Sequence, residues 1–360
     1  MTSTQRILIS GGAGFIGTRL VGRLGDDAEV MLLDNLHPQV HGDSGWPEPA
    51  HGRVVQVTAD VRDEDAWVSS ISSFQPEIIV HLAAETGTGQ SLTEAARHTS
   101  VNALGTARLL DALSKTGHRP DHIAVASSRA VYGEGAWETD SGTMFYPRGR
   151  TAADLDNRLW SPRGPAGEVG SPVPHAAGTT QPRPTNIYAA TKLTQEHLLT
   201  SWGTSMGVST SILRLQNVYG AGQALENSYT GVLTYFARCA LAGREIEVYE
   251  GGGILRDFVH VSDVADAIAA AISSVPASGS RTVDIGSGSP GTLIEFAEVL
   301  AAAAGAPAPR VTDAYRLGDV RAASADVRAA HQDFGYVPKT SFDVGVKELL
   351  SWAESELSRA

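Results

Sequence analysis

A short apolar run ending at Ser10 leads directly into three glycines spaced three residues apart, Gly11, Gly14 and Gly17. A buried strand, this spacing and a following helical pattern predict a tight strand-to-helix turn, because glycine permits the turn and leaves room for close packing. The first N–H groups of the helix point out of such a turn and favour an anion. This feature constrains the fold more than any other, and it predicts a parallel sheet with a phosphate site at its edge.

The second predicted strand ends at Asp34. A carboxylate at this point accepts hydrogen bonds from the ribose hydroxyls of an adenosine, and it repels a 2′-phosphate. We therefore expect NAD rather than NADP as the cofactor. The cofactor-binding residues predicted for this part of the chain are Gly11, Gly14, Phe15, Ile16, Gly17, Asp34 and Asn35.

Short apolar or β-branched runs alternate with helical patterns through the first half of the chain. Continuous apolar runs fit strands that are buried on both faces, so the alternation predicts a doubly wound, parallel α/β sheet of Rossmann type. The five runs are Arg6–Ser10, Glu29–Asp34, Val54–Asp60, Glu77–Ala84 and Ile123–Ser128. Further along, the patterns predict helices at 185–202, 227–241, 262–273, 293–303 and 344–356, and strands at 208–215, 245–249 and 282–285.

One segment, 134–185, interrupts this alternation. It holds seven of the 17 prolines and has no sustained apolar period, so it predicts a long loop excursion, either a lid or wall on the substrate side or a bare surface insertion. We divide the chain into a Rossmann domain at 1–216, which includes the insertion and to which 256–286 returns, and a smaller C-terminal α/β domain at 217–360. We expect the smaller domain to bind the substrate.

Composition narrows the choice of partners. A 360-residue chain with 42% hydrophobic residues can bury a large core, and a formal charge of −12 argues against nucleic acid or an anionic membrane as a partner. No apolar run is long enough to span a membrane, and the N-terminus resembles a strand instead of a leader, so we expect a cytoplasmic protein. The lone Cys239 excludes an internal disulfide and a clustered-thiolate site, and we expect no metal.

A tyrosine and a lysine, Tyr188 and Lys192, stand one turn apart on one face of a predicted helix. An ammonium near a phenol lowers the phenol pKa from about 10, which lets the phenol act as a base. Ser128, at the end of the fifth predicted strand, supplies a hydroxyl that can bond the reacting oxygen. Together these three residues predict proton transfer coupled to hydride transfer with NAD, whereas a Tyr–Lys pair alone would be an ordinary surface feature.

Taken in order, these motifs resemble the extended branch of the short-chain dehydrogenase/reductase superfamily, the NAD-dependent nucleotide-sugar epimerases and dehydratases. The glycine turn and the segments 127–133, 188–192, 214–220, 256–263 and 316–319 carry the resemblance over nearly the whole chain. Counting back from 131–133 places the family's catalytic hydroxyl on Ser128 and not on Ser127. The resemblance implies further cofactor contacts at Asp60, Val61, Leu82, Ala83, Ala84, Tyr188 and Lys192. It implies contacts with a nucleoside-diphosphate sugar at Glu85, Thr86, Ser128, Arg129, Asn217, Arg256, Arg316 and Asp319.

The residues that follow Ser128 separate the reactions known in this family. A 4,6-dehydratase carries Asp-Glu there, and a decarboxylase is expected to carry Glu at the second position, whereas this chain has Arg129 and Ala130. Epimerisation at C4 needs only the three catalytic residues, so we expect a nucleotide-sugar 4-epimerase. The alternatives are a dehydratase whose acid comes from the insertion, and a 4-ketoreductase, which usually prefers the NADPH that Asp34 disfavours.

Four segments look most like dTDP-L-rhamnose 4-epimerases and their relatives, namely 84–91, 128–135, the proline-rich insertion and 227–231. Members of that group often carry Cys-Pro-x-Cys in the insertion, where this chain has Gly164–Gly167, so we expect no metal knuckle. UDP-glucose and UDP-glucuronate epimerases are the rival interpretation. The resemblance also implies a homodimer, because the family pairs through two helices, here at about 92–115 and 185–202.

Overall fold

The computed structural model describes residues 4–25, 28–42, 44–48, 52–225 and 231–358. In chain order the strands are β1 (Gln5–Ser10), β2 (Ala28–Asp34), β3 (Val54–Thr58), β4 (Ile78–His81), β5 (His122–Ser128), β6 (Trp137–Glu138), β7 (Met144–Phe145), β8 (Ser171–Pro172), β9 (Ser209–Leu215), β10 (Asn217–Tyr219), β11 (Glu247–Val248), β12 (Leu255–Arg256), β13 (Phe258–His260), β14 (Ser280–Ile285), β15 (Gly291–Thr292) and β16 (Arg310–Val311). The helices are α1 (Phe15–Leu24), α2 (Pro38–His41), α3 (Glu64–Phe74), α4 (Ala95–His98), α5 (Gly105–Thr116), α6 (Ala152–Asp156), α7 (Ile187–Met206), α8 (Val232–Leu241), α9 (Val261–Ser273), α10 (Leu293–Ala304), α11 (Arg328–Phe334) and α12 (Phe342–Leu357).

A seven-stranded parallel sheet forms the centre of the molecule, in the order β14-β9-β5-β4-β1-β2-β3. The chain builds outward from β1 to β3 and then crosses back to add the other four strands, so the predicted doubly wound Rossmann architecture is confirmed. In register, Ser10 pairs with His81, and Ser128 pairs with Leu215. The carboxyl ends of β1, β4, β5 and β9 therefore meet along one edge, which is where such sheets bind ligands.

The five strands predicted in the first half are all present, and two of them end early. β3 stops at Thr58 instead of Asp60, and β4 stops at His81 instead of Ala84. After β3 the Asp60 side chain accepts from the Arg62 N–H at 2.8 Å, which turns the chain. The predicted C-terminal ends of both strands were therefore too late. The residues that lie beyond the observed ends, outside the sheet hydrogen bonding, include several that are predicted to contact the cofactor.

Helices cover both faces of the sheet because its strands are apolar on both faces. On one face, Leu20 of α1 and Ile268 of α9 belong to a buried cluster with Ile9 of β1. On the other, Leu109 of α5 and Leu199 of α7 are buried with Leu8, Ile79 and Ile212 of the sheet. Within the described ranges, no helix combines the length and apolar character needed to cross a bilayer.

A second hydrophobic core lies among α8, α10 and α12. Phe236, Phe296 and Leu349 are buried there together with Phe258 of β13. The rings of Phe258 and Phe296 meet edge to face with centroids 4.8 Å apart, a favourable aromatic geometry. Since Arg256 precedes Phe258 by two residues, this core anchors the segment that carries a predicted substrate residue.

The elements predicted after residue 185 are present with shifted ends. α7 begins at Ile187 because Asn186 caps it, accepting from the Ala189 N–H at 2.9 Å, and it continues to Met206, four residues further than predicted. The strand predicted at 245–249 is the two-residue β11. The segment 227–230, part of a predicted helix and of a resemblance motif, lies outside the described residues, and α8 begins at Val232.

The insertion 134–185 has more structure than the predicted loop excursion. β6 pairs antiparallel with both β7 and β8, and α6 begins at a capping box between Thr151 and Asp154. Near its end, His175 forms a parallel bridge with Ala325, with backbone bonds of 2.8 Å on either side. The insertion is thus joined to a distant part of the chain, and its own sequence contains no signal for that partner.

Candidate active site

The glycine turn leaves no space for side chains. Gly11 has a φ of 72°, and a Cβ added to it would lie 2.7 Å from the Ala83 nitrogen. A Cβ on Gly17 would lie 2.6 Å from the Gly11 carbonyl oxygen. Gly14 is the N-cap of α1 and offers no side-chain cap, so the first N–H groups of the helix have no side-chain acceptor there. The turn is shaped for close approach of an anionic group, and Phe15 and Ile16 form the first helical turn above it.

Asp34 lies at the rim of this turn and is largely buried. Its two carboxylate oxygens accept from the N–H groups of Ala13, at 3.1 Å, and of Leu36, at 2.9 Å. The imidazole Nε2 of His41 lies 3.7 Å from one of them. The carboxylate is therefore fixed in place beside the glycines, and His41 is a neighbour that sequence reasoning missed because α2 was not foreseen.

Asp60 and Asn35 meet at the next strand end. The Asn35 amide donates to Asp60 at 3.1 Å, and the Arg62 guanidinium donates two bonds of 2.8 Å to the same carboxylate. The Arg62 bonds are the main cause that lowers the pKa of Asp60 to about 2. The next residue, Val61, is buried. It packs so closely on Gly105 that a Cβ added to that glycine would lie 2.8 Å from a Val61 methyl group.

The loop after β4 is held by an asparagine that the sequence reasoning did not single out. Asn102 accepts from the Glu85 N–H at 2.8 Å and donates to the Glu85 carbonyl at 3.0 Å and to Thr191 of α7 at 2.9 Å. Asn102 lies in a π-helical turn, 99–104, a distortion frequent at functional sites. It ties Glu85, at the end of the loop that carries Leu82, Ala83 and Ala84, to α7. The Glu85 carboxylate is paired with Arg97 at 2.8 Å, and Thr86 is exposed.

The structure brings Ser128 and Tyr188 together. The Ser128 side chain lies close enough to act on the Tyr188 phenol, and Ser128 Oγ accepts from the Ala130 N–H at 3.1 Å as the cap of a short helical turn. Burial raises the pKa of the Tyr188 phenol, while the bond to Ser128 and the charge of Arg129 act to lower it. The phenol and the serine hydroxyl can therefore act on one oxygen atom of a bound molecule.

Lys192 lies one turn beyond Tyr188 and is buried. Its ammonium Nζ donates to the Gln195 side-chain oxygen at 2.6 Å. Burial lowers the pKa of Lys192 to about 7, and the charge of Glu196 acts in the opposite direction. Its predicted role in holding the cofactor and stabilising the phenolate stays a prediction.

A buried polar network lies behind these residues, and no local sequence pattern indicates its partners. Ser127 donates to Glu196, which also receives bonds of 2.9 and 2.6 Å from Arg214. Arg214 donates in turn to the Tyr132 hydroxyl, which donates to Asp284, each at 2.9 Å. Burial raises the pKa of Asp284 to about 7. Because Ser127 is engaged by Glu196, the hydroxyl that faces Tyr188 is that of Ser128.

Two arginines predicted to bind the substrate come together at the edge of the sheet. Arg129 Nε donates to the Asn217 side-chain oxygen at 3.0 Å. Arg256 is buried and donates to the carbonyls of Leu255, at 2.8 Å, and Val320, at 2.9 Å. Burial, followed by the charge of Arg129, lowers the pKa of Arg256 to about 9. Neither guanidinium forms an ion pair with any described carboxylate, so their charge is available to an anion.

The other two predicted substrate residues occupy a turn that faces solvent. Arg316 is exposed, 6.0 Å from the centre of the Tyr249 ring, and its carbonyl accepts from the Asp319 N–H at 3.2 Å. The charge of Asp319 acts on both Arg129 and Arg256. The structure therefore places Asp319 near the arginine pair, and it shows no side-chain contact between Arg316 and that pair.

The insertion contributes a buried arginine that the sequence reasoning missed. Arg150 donates to Glu250 at 2.5 Å and to the Asp319 carbonyl at 2.6 Å, and its Nε lies 3.4 Å from Glu134. Glu134 also accepts from the Arg321 N–H at 2.8 Å. Burial raises the pKa of Glu134, and the charge of Arg150 opposes that rise. Arg150 therefore ties the insertion to the turn that carries Asp319.

Comparison with known proteins places this geometry in a family. The model of the NAD dependent epimerase/dehydratase family matches residues 7–150 and 164–286. A dTDP-L-rhamnose 4-epimerase of Burkholderia thailandensis is 48% identical over 99% of this chain and 96% of its own length. A UDP-glucose 4-epimerase of Mycolicibacterium smegmatis is 30% identical over 97% of this chain and 98% of its own.

A solved structure agrees with these matches. The UDP-glucose 4-epimerase of Thermus thermophilus, in complex with NAD, is 28% identical, with a TM-score of 0.73 over 97% of this chain and 99% of that one. The crowded glycine turn and the fixed carboxylate of Asp34 fit a bound dinucleotide. The chain belongs to the NAD dependent epimerase/dehydratase family, and its cofactor is NAD.

Proposed function

We propose that the protein is a nucleotide-sugar 4-epimerase that acts on dTDP-L-rhamnose or a closely related dTDP-hexose. The observation that carries the proposal is the pair of guanidiniums near Ser128 and Tyr188, because Arg129 and Arg256 form no ion pair with any described carboxylate. Two neighbouring guanidiniums without an ion-pair partner in the described chain suit the diphosphate of a nucleotide sugar, whose oxygens accept bidentate bonds. The 48% identity to a dTDP-L-rhamnose 4-epimerase supports the choice of substrate.

The residues described above supply the proton chemistry of this reaction. Tyr188 accepts the proton of the C4 hydroxyl, while Ser128 bonds the same oxygen and keeps it in line. NAD, when bound, supplies the hydride acceptor and the source from which hydride returns to the other face of the sugar. Tyr188 then returns its proton to the oxygen, so no proton is gained or lost overall.

A dehydratase needs an additional acid and base, and the structure gives little support for them. The positions after Ser128 hold Arg129 and the buried Ala130, neither of which carries a carboxylate. Glu134 is the acid of the insertion whose charge acts on Arg129. The Glu134 carboxylate already contacts the Arg150 guanidinium and accepts from the Arg321 N–H. Epimerisation requires neither group, so it is the better interpretation.

UDP-glucose is the second substrate to consider, because the 30% identical relative is a UDP-glucose 4-epimerase. The test is to incubate the purified protein, without added cofactor, with dTDP-L-rhamnose, UDP-glucose and UDP-glucuronate, and to separate the products by chromatography. We expect an isomer of unchanged mass from the dTDP sugar. A product lighter by one water would establish a dehydratase, and epimerisation without added cofactor would exclude a reductase, which needs a free nicotinamide.

The catalytic assignment has its own test. We expect Tyr188→Phe to abolish epimerisation and to leave NAD bound, because the substitution removes only the phenol hydroxyl near Ser128. NAD is measured in the supernatant after the protein is denatured. Lys192→Ala should reduce both activity and NAD content. Full activity in Tyr188→Phe would refute the mechanism.

We further infer a homodimer in the cytoplasm and a domain boundary near residue 216. The helical stretch 92–116 exposes Leu92, at 61%, and Leu104, at 44%, which supports pairing through that face together with α7. Light scattering at micromolar concentration measures the molar mass of the protein in solution and so tests whether it is a dimer. A monomeric molar mass would refute the homodimer. The separate core around Phe236 and Leu349 supports a substrate domain that begins after β9.

A further inference from the structure

The ammonium of Lys192 has one hydrogen-bond partner within the described residues, and that partner is Gln195. Nζ donates to the Gln195 side-chain oxygen at 2.6 Å, from a position three residues earlier on α7. Both side chains are buried, Gln195 completely. An ammonium has three N–H donors, so this bond leaves two of them for a bound molecule. Gln195 is therefore the contact that fixes the ammonium in place.

A threonine on the neighbouring helix determines which end of the Gln195 amide faces Lys192. Thr106 of α5 donates its single hydroxyl proton to the Asn102 carbonyl, at 2.7 Å. The Thr106 oxygen must then accept from the Gln195 amide nitrogen, which lies 2.8 Å away. With its nitrogen bonded to Thr106, the amide turns its oxygen toward the ammonium. A flipped amide would set N–H groups against the ammonium and oxygen against oxygen.

The series of hydrogen bonds continues from Thr106 to the end of β1. His81 Nε2 lies 3.0 Å from the Thr106 oxygen, and Ser10 Oγ lies 2.6 Å from His81 Nδ1. Because the Thr106 proton is already donated, Nε2 carries a proton and donates it, and Nδ1 accepts from Ser10. Burial, followed by the charge of Lys192, lowers the pKa of His81 to about 3, so the ring is neutral, as this arrangement requires. The series therefore has one direction, which keeps the Gln195 amide in one orientation.

Glu196 is the other group that acts on Lys192 in the described part of the chain, and it is engaged elsewhere. Its negative charge opposes the effect of burial on the ammonium. Its oxygens accept from Ser127 and, at 2.9 and 2.6 Å, from Arg214. No ion pair joins Glu196 to Lys192 among the described residues, so the group in contact with the ammonium is the oriented amide of Gln195.

We propose that Gln195 is a positioning residue that acts through Lys192, aiming the ammonium and so holding bound NAD. The proposal rests on the proposed function, in which Lys192 holds the cofactor, and the family resemblance assigns no role to Gln195. Burial disfavours the charged ammonium, and an oriented amide oxygen stabilises it. Thr106 and His81 contribute by holding that amide in its single orientation.

The rate of NAD release tests the proposal without turnover. Holoprotein is diluted, protein is separated from solution at intervals, and the NAD still bound is measured after denaturation. We expect Gln195→Met, which keeps the length of the side chain and removes its hydrogen bonds, to release NAD about tenfold faster than wild type, since a bond to a charged group is lost. An unchanged rate would overturn the proposal.

The conservative variant Gln195→Glu separates positioning from packing. It keeps an oxygen on the ammonium, so it should release NAD at close to the wild-type rate. If Gln195→Glu and Gln195→Met release NAD equally fast, Gln195 serves only to pack the helix, and the proposal fails.

Thr106→Val is a second route to the same effect, should Gln195→Met fail to fold. Valine has the shape of threonine without the hydroxyl, so the Gln195 amide loses the group that orients it, and NAD release should accelerate. Thr116→Val is the matched control, because Thr116 also lies on α5 and donates to a carbonyl four residues earlier, that of Ala112, at 2.8 Å. Wild-type release rates in both threonine variants would contradict the orienting role of Thr106.

A double-mutant cycle identifies the residue through which Gln195 acts. Gln195→Met should add little to the loss of NAD caused by Lys192→Ala, because the ammonium that it positions is absent. Additive losses would show that Gln195 acts apart from Lys192 and would overturn the proposal. If the wild type retains NAD and epimerises no sugar, the proposed function fails, while the release rates still decide the role of Gln195.

Discussion

Removal of the buried guanidinium of Arg150 should destabilise the protein strongly. The side chain is only 5% exposed, and it bonds Glu250, the Trp160 carbonyl and the Asp319 carbonyl while lying 3.4 Å from Glu134. Arg150→Met would leave Glu134 buried without its cation, and breaking a buried pair in this way costs about 3–5 kcal/mol. Unfolding entropy of about 2 cal/mol/K per residue, over the 360 residues of the chain, converts this cost into a loss of about 4–7 °C in Tm.

The pH dependence of that loss provides a sharper test. Burial already raises the pKa of Glu134, and removing Arg150 removes the charge that opposes the rise. A carboxyl whose folded-state pKa lies above its unfolded value loses stability as pH rises through the folded value. The Tm difference between wild type and Arg150→Met should therefore be larger at about pH 8 than at about pH 5.

Differential scanning calorimetry at several pH values measures both effects. Arg148→Met is the matched control, because that arginine lies in the same insertion with 82% of its side chain exposed and only a 3.7 Å contact to Asp154. Exposed pairs contribute little, so its Tm should stay within about 1 °C of wild type. If Arg150→Met behaves like Arg148→Met at alkaline pH, the reasoning about the buried cluster is refuted.

Two further variants probe the cofactor turn and the buried network. Gly11→Ala should lose bound NAD, because the φ of Gly11 is 72° and the added Cβ would lie 2.7 Å from the Ala83 nitrogen. Gly25→Ala is the control and should keep NAD, because Gly25 has a similar φ of 66° and its added Cβ would have no described atom within 4 Å. Equal NAD content in the two variants would contradict this prediction. Asp284→Asn should remove a pH dependence of stability. The wild-type carboxyl, with its pKa raised to about 7 from 3.8, loses up to about 4 kcal/mol of stability as pH rises across that window. Parallel Tm–pH curves for wild type and variant would argue against it.

The parts of the site that could be predicted from the sequence are those with local signals. The spacing of the glycines, the end of a strand at Asp34 and the four-residue spacing of Tyr188 and Lys192 each follow from a single element. The parallel order of the sheet follows from alternating strands and helices. These features could be placed without knowing which distant segments meet.

The parts that could not be predicted depend on contacts between distant segments. Arg150 meets Glu250 across 100 residues, and Tyr132 meets Asp284 across 152. Charged residues are usually solvated, so an arginine in a proline-rich insertion predicts a surface position. Only the folded structure shows that Arg150 is buried, and the same limit explains why the partner of Arg129 was not foreseen.

The backbone bridge between His175 and Ala325 has a consequence for exchanging parts between family members. The family model matches residues 7–150 and 164–286, so the bridge joins His175, inside the matched range, to Ala325, beyond it. A chimera that receives the insertion alone would lack the strand partner near Ala325 and the Arg321 N–H that bonds Glu134. A chimera should therefore exchange the insertion and the segment 316–326 together, so that both sides of these contacts come from the same protein.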